Sequence, residues 1–112
     1  MATAPLTVQA VTYAGLTPSF TAAAGTGAGN GFTFTNDGST YFRIKNGNAG
    51  SCTATLKATG RSAAGIAIAD QTFTVAANTG DVTIGNLPVS DFGMTVTVEV
   101  SVSTTVTAAA FK

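Results

Sequence analysis

Met94-Thr95-Val96-Thr97-Val98-Glu99-Val100-Ser101-Val102-Ser103 is the stretch that decides the fold. Met94, Val96, Val98, Val100 and Val102 alternate strictly with Thr95, Thr97, Glu99, Ser101 and Ser103. Successive side chains of a strand point to opposite faces, so a period of two makes one apolar and one polar face, the mark of a half-buried antiparallel strand. At about 3.4 Å per residue the stretch spans on the order of 30 Å, the length of a small sandwich. Thr105 to Phe111 is expected to continue this strand or to pair with it.

Two further segments alternate in the same way. Tyr41 to Lys45 sends Phe42 and Ile44 to one side and Tyr41, Arg43 and Lys45 to the other. Ser51 to Ala58 sends Cys52, Ala54, Leu56 and Ala58 inward and Thr53, Thr55 and Lys57 outward. Between them lies Asn46-Gly47-Asn48-Ala49-Gly50, whose Asn and Gly residues tolerate positive φ, so the pair reads as a hairpin. On that reading Arg43, Lys45 and Lys57 share one outer face, flanked by Tyr41, Thr53 and Thr55. Such a face is either a solvated surface or a contact surface for an acidic partner.

Weaker strands are expected at Thr7 to Tyr13, Phe32 to Thr35, Gln71 to Val75 and Asp81 to Ile84. In the first, the apolar positions shift from Leu6, Val8 and Ala10 to Val11 and Tyr13, as a bulge requires. Asn78 and Gly80-Asp81 mark the turn between the last two, and Gly65 to Ala69 reads as a strand or a short irregular stretch. Many short strands separated by turns define an all-β protein, a single antiparallel β-sandwich, immunoglobulin-like or jelly-roll-like, over residues 1–112. Its expected core includes Phe42, Ile44, Leu56, Phe73, Val96, Val98 and Val100. Residues 1–5, Met1-Ala2-Thr3-Ala4-Pro5, read as a flexible extended arm, and residues 21–31 as a flexible Gly-rich loop.

Composition narrows the function. Charged residues make up 9% of the chain, against about 25% in an ordinary domain, and five basic side chains balance five acidic ones. A balanced, sparsely charged chain lacks the basic patch that nucleic-acid binding needs. No stretch has the roughly 18 apolar residues of a spanning helix, so no membrane partner is expected. Met1 to Gln9 has neither a basic residue nor an apolar run and is not read as a secretory signal. A small neutral β-rich protein is best tolerated when partners cover its surface, which points to an assembly component.

No chemistry-bearing constellation emerges, so the expectation is a protein that is not an enzyme and takes no cofactor or metal. The chain has no histidine, its carboxylates are scattered singly, and Cys52 has no Cys or His companion and reads as a small buried apolar residue. The alternating glycines of residues 21–31 lack the following amphipathic helix and nearby Lys of a phosphate loop. Asn36-Asp37-Gly38 and Asp91-Phe92-Gly93 read as turns in which Asp caps local backbone.

The order of Gly15-Leu16-Thr17-Pro18-Ser19-Phe20-Thr21-Ala22-Ala23, Asn36-Asp37-Gly38-Ser39-Thr40, Tyr41-Phe42-Arg43-Ile44-Lys45-Asn46-Gly47, Gly65-Ile66-Ala67-Ile68-Ala69-Asp70, Thr74-Val75 and Ile84-Gly85-Asn86-Leu87-Pro88 resembles a family of small virion structural proteins of tailed bacteriophages. The resemblance runs from Gly15 to about Phe92 and implies a head decoration, or cement, protein. It implies a protein made in the host cytoplasm that binds the outer surface of the assembled head, with the major capsid protein and its own copies, as a homotrimer, for partners. No catalytic residue is implied. The contact residues expected on this reading are Ala2, Thr3 and Pro5 of the arm and Tyr41, Arg43, Lys45 and Lys57 of the basic face. The alternatives are a tail or head–tail joining component and a β-sandwich module that recognises carbohydrate or a host surface.

Overall fold

The computed structural model describes residues 3–23, 30–60 and 64–112. Two five-stranded sheets face each other. One holds β1 (Thr3–Pro5), β4 (Asn30–Thr35), β9 (Thr95–Val100), β6 (Cys52–Leu56) and β7 (Gln71–Val75), in the order β1-β4-β9-β6-β7. The other runs β2 (Val8–Gln9), β10 (Val106–Phe111), β5 (Tyr41–Asn46), β8 (Gly80–Ile84), with β3 (Thr21–Ala22) also paired to β10. One short helix, α1 (Val89–Phe92), interrupts the crossover from β8 to β9. The chain is an all-β sandwich, and its sheets are mixed: β1 runs parallel to β4 and β2 parallel to β10, while the other pairs are antiparallel.

The core follows the alternation. Phe42, Ile44, Leu56, Val96, Val98 and Val100 are all buried, and Phe73 packs against them partly buried. Cys52 is buried with a free thiol. Phe42 of one sheet stacks on Phe34 of the other at 5.3 Å between ring centroids and tilts against Phe32 at 6.1 Å, joining the two layers. The alternating stretch stops being strand after Val100: Met94 is exposed and Ser103, not Val102, is buried.

Several expectations need correction. The segments 41–46 and 52–56 do not form a hairpin. β5 pairs with β10 and β8, whereas β6 pairs with β7 and β9, so the turn at 47–51 is an arch between the sheets. Asn46 explains the arch. It continues the inward series of Phe42 and Ile44, and its buried amide donates to the carbonyls of Gly50, Val75 and Ala76 at 2.9, 3.3 and 3.2 Å. An inward Asn so satisfied ties the arch to the β7–β8 turn. β10 likewise crosses to the sheet opposite β9 instead of continuing or pairing with it, through a corner where Thr105 adopts φ 58°.

The N-terminal segment also differs from the expected arm. Thr3–Pro5 is a paired edge strand in register with Gly31 to Thr33, with Ala4 buried, because small uncharged side chains fit against the sheet edge. Residues 1–2, including Ala2, lie outside the described residues. The strand expected at Thr7 to Tyr13 is only Val8–Gln9. Its partner β10 ends at Phe111; Val11 still donates its N–H to the Lys112 carbonyl, but its side chain and that of Tyr13 face solvent in place of forming a bulge. Of the Gly-rich loop, Thr21–Ala22 and Asn30–Gly31 are strand, and residues 24–29 lie outside the described residues. Gly65 to Ala69 takes the irregular alternative.

Candidate functional site

Strand register sorts the connections onto two ends of the sandwich. Thr35 pairs with Thr95, Tyr41 with Phe111, Phe42 with Ile84 and Leu56 with Gln71. One end therefore collects the connections 10–20, 36–40 and 85–94 and the described residues 57–60 and 64–70. The opposite end collects 47–51, 76–79 and 101–105, since Asn46 pairs with Val106 and Gly80, and Asn30 with Val100.

The large apolar side chains that remain exposed are Val11, Tyr13, Leu16, Tyr41, Ile66, Val89 and Met94 among the described residues. Each belongs to the first end. Tyr13 is fully exposed, and Met94, Ile66 and Val11 are 68, 67 and 58% exposed. Among the described residues, the connections of the opposite end carry Asn, Gly, Ala, Ser and Thr with the half-buried Val102. Scattered exposed apolar residues need no explanation, but segregation of all the large ones to one end does.

The loops of this end are joined to one another. The side chain of Gln9 grips the backbone of Ser19 and closes loop 10–18. Val11, Leu16 and Pro18 of that loop line a cleft of about 320 Å³ with Tyr41, Arg43, Thr83 and Phe111. The Tyr41 ring lies over Gly85 and leaves no room there for a Cβ. Buried Asn36 donates to the carbonyls of Leu87 and Gly93 at 3.0 and 3.2 Å, fastening the 36–40 turn to the crossover that carries Val89 and Met94. Thr59 and Gly60 donate their backbone N–H groups to Asp91 of α1, which brings in the 57–70 connection.

Arg43, Lys57 and Lys112 are paired with carboxylates within the chain. Arg43 holds Asp81 through two bonds, Nε–Oδ1 at 2.9 Å and Nη2–Oδ2 at 2.6 Å. Lys57 pairs with Asp70 at 2.8 Å and approaches Glu99 at 3.9 Å, and Lys112 pairs with Asp37. The Arg43 bond holds the Asp81 carboxyl below its ordinary value, and Asp81 in turn raises Arg43. Lys57 lowers Asp70, whose partnership raises Lys57, and Lys112 together with the Ser39 backbone N–H lowers Asp37.

The expected basic face does not form. Arg43 and Lys45 lie on the outer face of the sheet containing β5, while Lys57 follows β6 in the other sheet, because the 47–51 turn is an arch. Phe20 covers part of the first face, with Lys45 Nζ 4.5 Å and Arg43 Cζ 5.6 Å from its ring centroid. Tyr41 and Arg43 line the cleft, whereas Thr3 and Pro5 sit on an edge strand. Sequence reasoning missed Val11, Tyr13, Leu16, Ile66, Val89 and Met94 as surface residues. Their signal is apolar character inside segments bounded by Gly, Pro and Asn, but only the topology places them together.

No group of three or more His, Cys, Asp or Glu side chains comes together among the described residues, and none of the described helices is long and apolar enough to cross a membrane. Comparison of the chain with family models, with curated proteins and with solved structures finds no match.

Proposed function

We propose that this chain is a non-enzymatic structural protein that docks by the loop end of its sandwich onto a larger protein assembly, and that the assembly is a bacteriophage head which it decorates and stabilises from outside. The observation that carries this reading is the segregation of all the exposed large apolar side chains among the described residues to one end. Docking through that end removes apolar surface from water at about 25 cal/mol per Å². Of the charged side chains at that end, Lys57 and Lys112 are already held by Asp70 and Asp37, which lowers the cost of covering them. A shell offers many equivalent sites, so a modest contact per copy suffices. The partner is the major capsid protein, and the resemblance of the sequence to phage virion proteins selects it over other assemblies. The proposed location is the capsid exterior.

Labelling the chain in intact particles and imaging them tests this reading. Density distributed over the head surface supports it. Density confined to the tail or the head–tail joint moves the chain to the alternative structural role, and absence from the particle removes the virion assignment.

A further inference from the structure

The two sheets have four edges, and three of them are guarded. β1 is three residues long and ends in Pro5, β2 and β3, which share the flank of β10, are two residues each, and β8 carries the charged Asp81. β7, Gln71-Thr72-Phe73-Thr74-Val75, has no charge, no proline and an unbroken register with β6. Unguarded edges of this kind are templates for another strand.

The groups it offers follow from its neighbours. Thr53 accepts from Ser101 N–H and Lys57 donates to Thr97, so these β6 residues turn their backbone groups toward β9. In antiparallel pairing the direction alternates, so Cys52, Ala54 and Leu56 turn theirs toward β7 and bond their partners Val75, Phe73 and Gln71. The N–H and C=O groups of Thr72 and Thr74 point outward, where the Gln71 side chain makes one long bond, 3.4 Å, to the Thr72 carbonyl.

We propose that β7 pairs with β7 of a second copy of this chain, antiparallel about a twofold axis at Phe73. In that register Thr72 of each copy faces Thr74 of the other. The outward N–H and C=O groups of both residues are then satisfied by four bonds. Phe73 meets its own counterpart at a non-hydrogen-bonded position, where side chains approach closest. Phe73 is packed against the core but not fully covered, and its counterpart completes its burial. Exposed Thr72 and Thr74 form two cross-strand Thr pairs on the outer face. No like charges are opposed, since Asp70 falls opposite Ala76. A twofold contact is self-complementary, as this strand is. It joins two copies, not the three that the resemblance implies, and it stands apart from the docking end.

Sedimentation equilibrium of the isolated chain over rising concentration tests the pairing. The expected result is a monomer–dimer equilibrium that the double variant Thr72→Lys, Thr74→Lys abolishes, while at concentrations where the parent is monomeric the two melt alike, because both side chains are exposed. Register is tested by cysteine cross-linking under mild oxidant: Phe73→Cys forms a covalent dimer and Thr72→Cys does not. A monomer at every concentration, a trimer, a dimer that survives the double lysine variant, or Thr72→Cys cross-linking as readily as Phe73→Cys would overturn the proposal.

Discussion

The Gln9 carboxamide holds the Ser19 backbone from both sides, donating from Nε2 to the Ser19 carbonyl at 2.7 Å and accepting the Ser19 N–H on Oε1 at 2.9 Å. One side chain thus does for loop 10–18 what a strand pair does for a hairpin. The segment it closes, 10–19, is exposed throughout and has no core of its own.

Replacing Gln9 by Ala removes both bonds at an exposed site. Each such bond contributes about 1 kcal/mol net at most, so thermal stability should fall only slightly. Amide hydrogen exchange of residues 11–18 should accelerate, with the strands unchanged. Unaltered exchange in the loop would show that the clamp does not hold it.

Asn46 carries a larger share of stability. Asn46→Ala removes the donor that ties the Gly50, Val75 and Ala76 carbonyls together, and leaves Asn48 N–H without its acceptor at 2.9 Å. Loss of such a network and the hole left by a fully buried side chain should register in denaturant unfolding as a loss of about 1–3 kcal/mol. A loss under 1 kcal/mol, on the order of a surface change, would contradict the role given to this residue.

Thr105 is a β-branched residue at φ 58°, a conformation that side chains branched at Cβ rarely adopt. The corner needs it, because Gly47 donates to the Thr105 carbonyl at 2.9 Å where β10 crosses to the opposite sheet. Asn tolerates this region, so Thr105→Asn should stabilise the fold by about 1 kcal/mol. Chemical denaturation checks it, and a destabilised variant would show the strain to be absent.

Asp37, Asp70 and Asp81 are all held below the ordinary carboxyl value of 3.8. A depressed folded-state value means that stability is present above the unfolded value and is lost as pH falls through the folded one. The raised Lys57 works on the other side, losing its contribution only as pH climbs through its folded value. With no histidine in the chain, melting temperature should be nearly flat from about pH 5 to 8 and fall below about pH 4. In Asp81→Asn the acid limb should be shallower. An acid limb as steep as the parent's would leave the Arg43 pair without a stabilising part.

The inward and outward residues were legible in the sequence because strand periodicity is local. Phe42, Ile44, Leu56, Val96, Val98 and Val100 are buried as their alternation requires. Sheet membership was not legible. A five-residue connection of Asn, Gly, Ala and Ser suits a hairpin or an arch equally, and the buried partners of Asn46 that decide the matter come from β7 and its turn, 29 and 30 residues away. The basic face failed for that reason, since it assumed that Lys57 shared a sheet with Arg43. The apolar end was hidden one level deeper. Val11, Leu16, Ile66 and Met94 come from three separate connections, and only strand order reveals that these open on the same side.

Co-sedimentation with undecorated bacteriophage shells, the proposed partner, tests the docking account most directly. The variants to compare are Tyr13→Ser with Met94→Ser at the loop end and Thr79→Lys at the opposite end, all at exposed positions. The account predicts that the double serine variant folds normally and loses shell binding, while Thr79→Lys binds like the parent. Parental binding by the double serine variant, or loss of binding by Thr79→Lys, would contradict it.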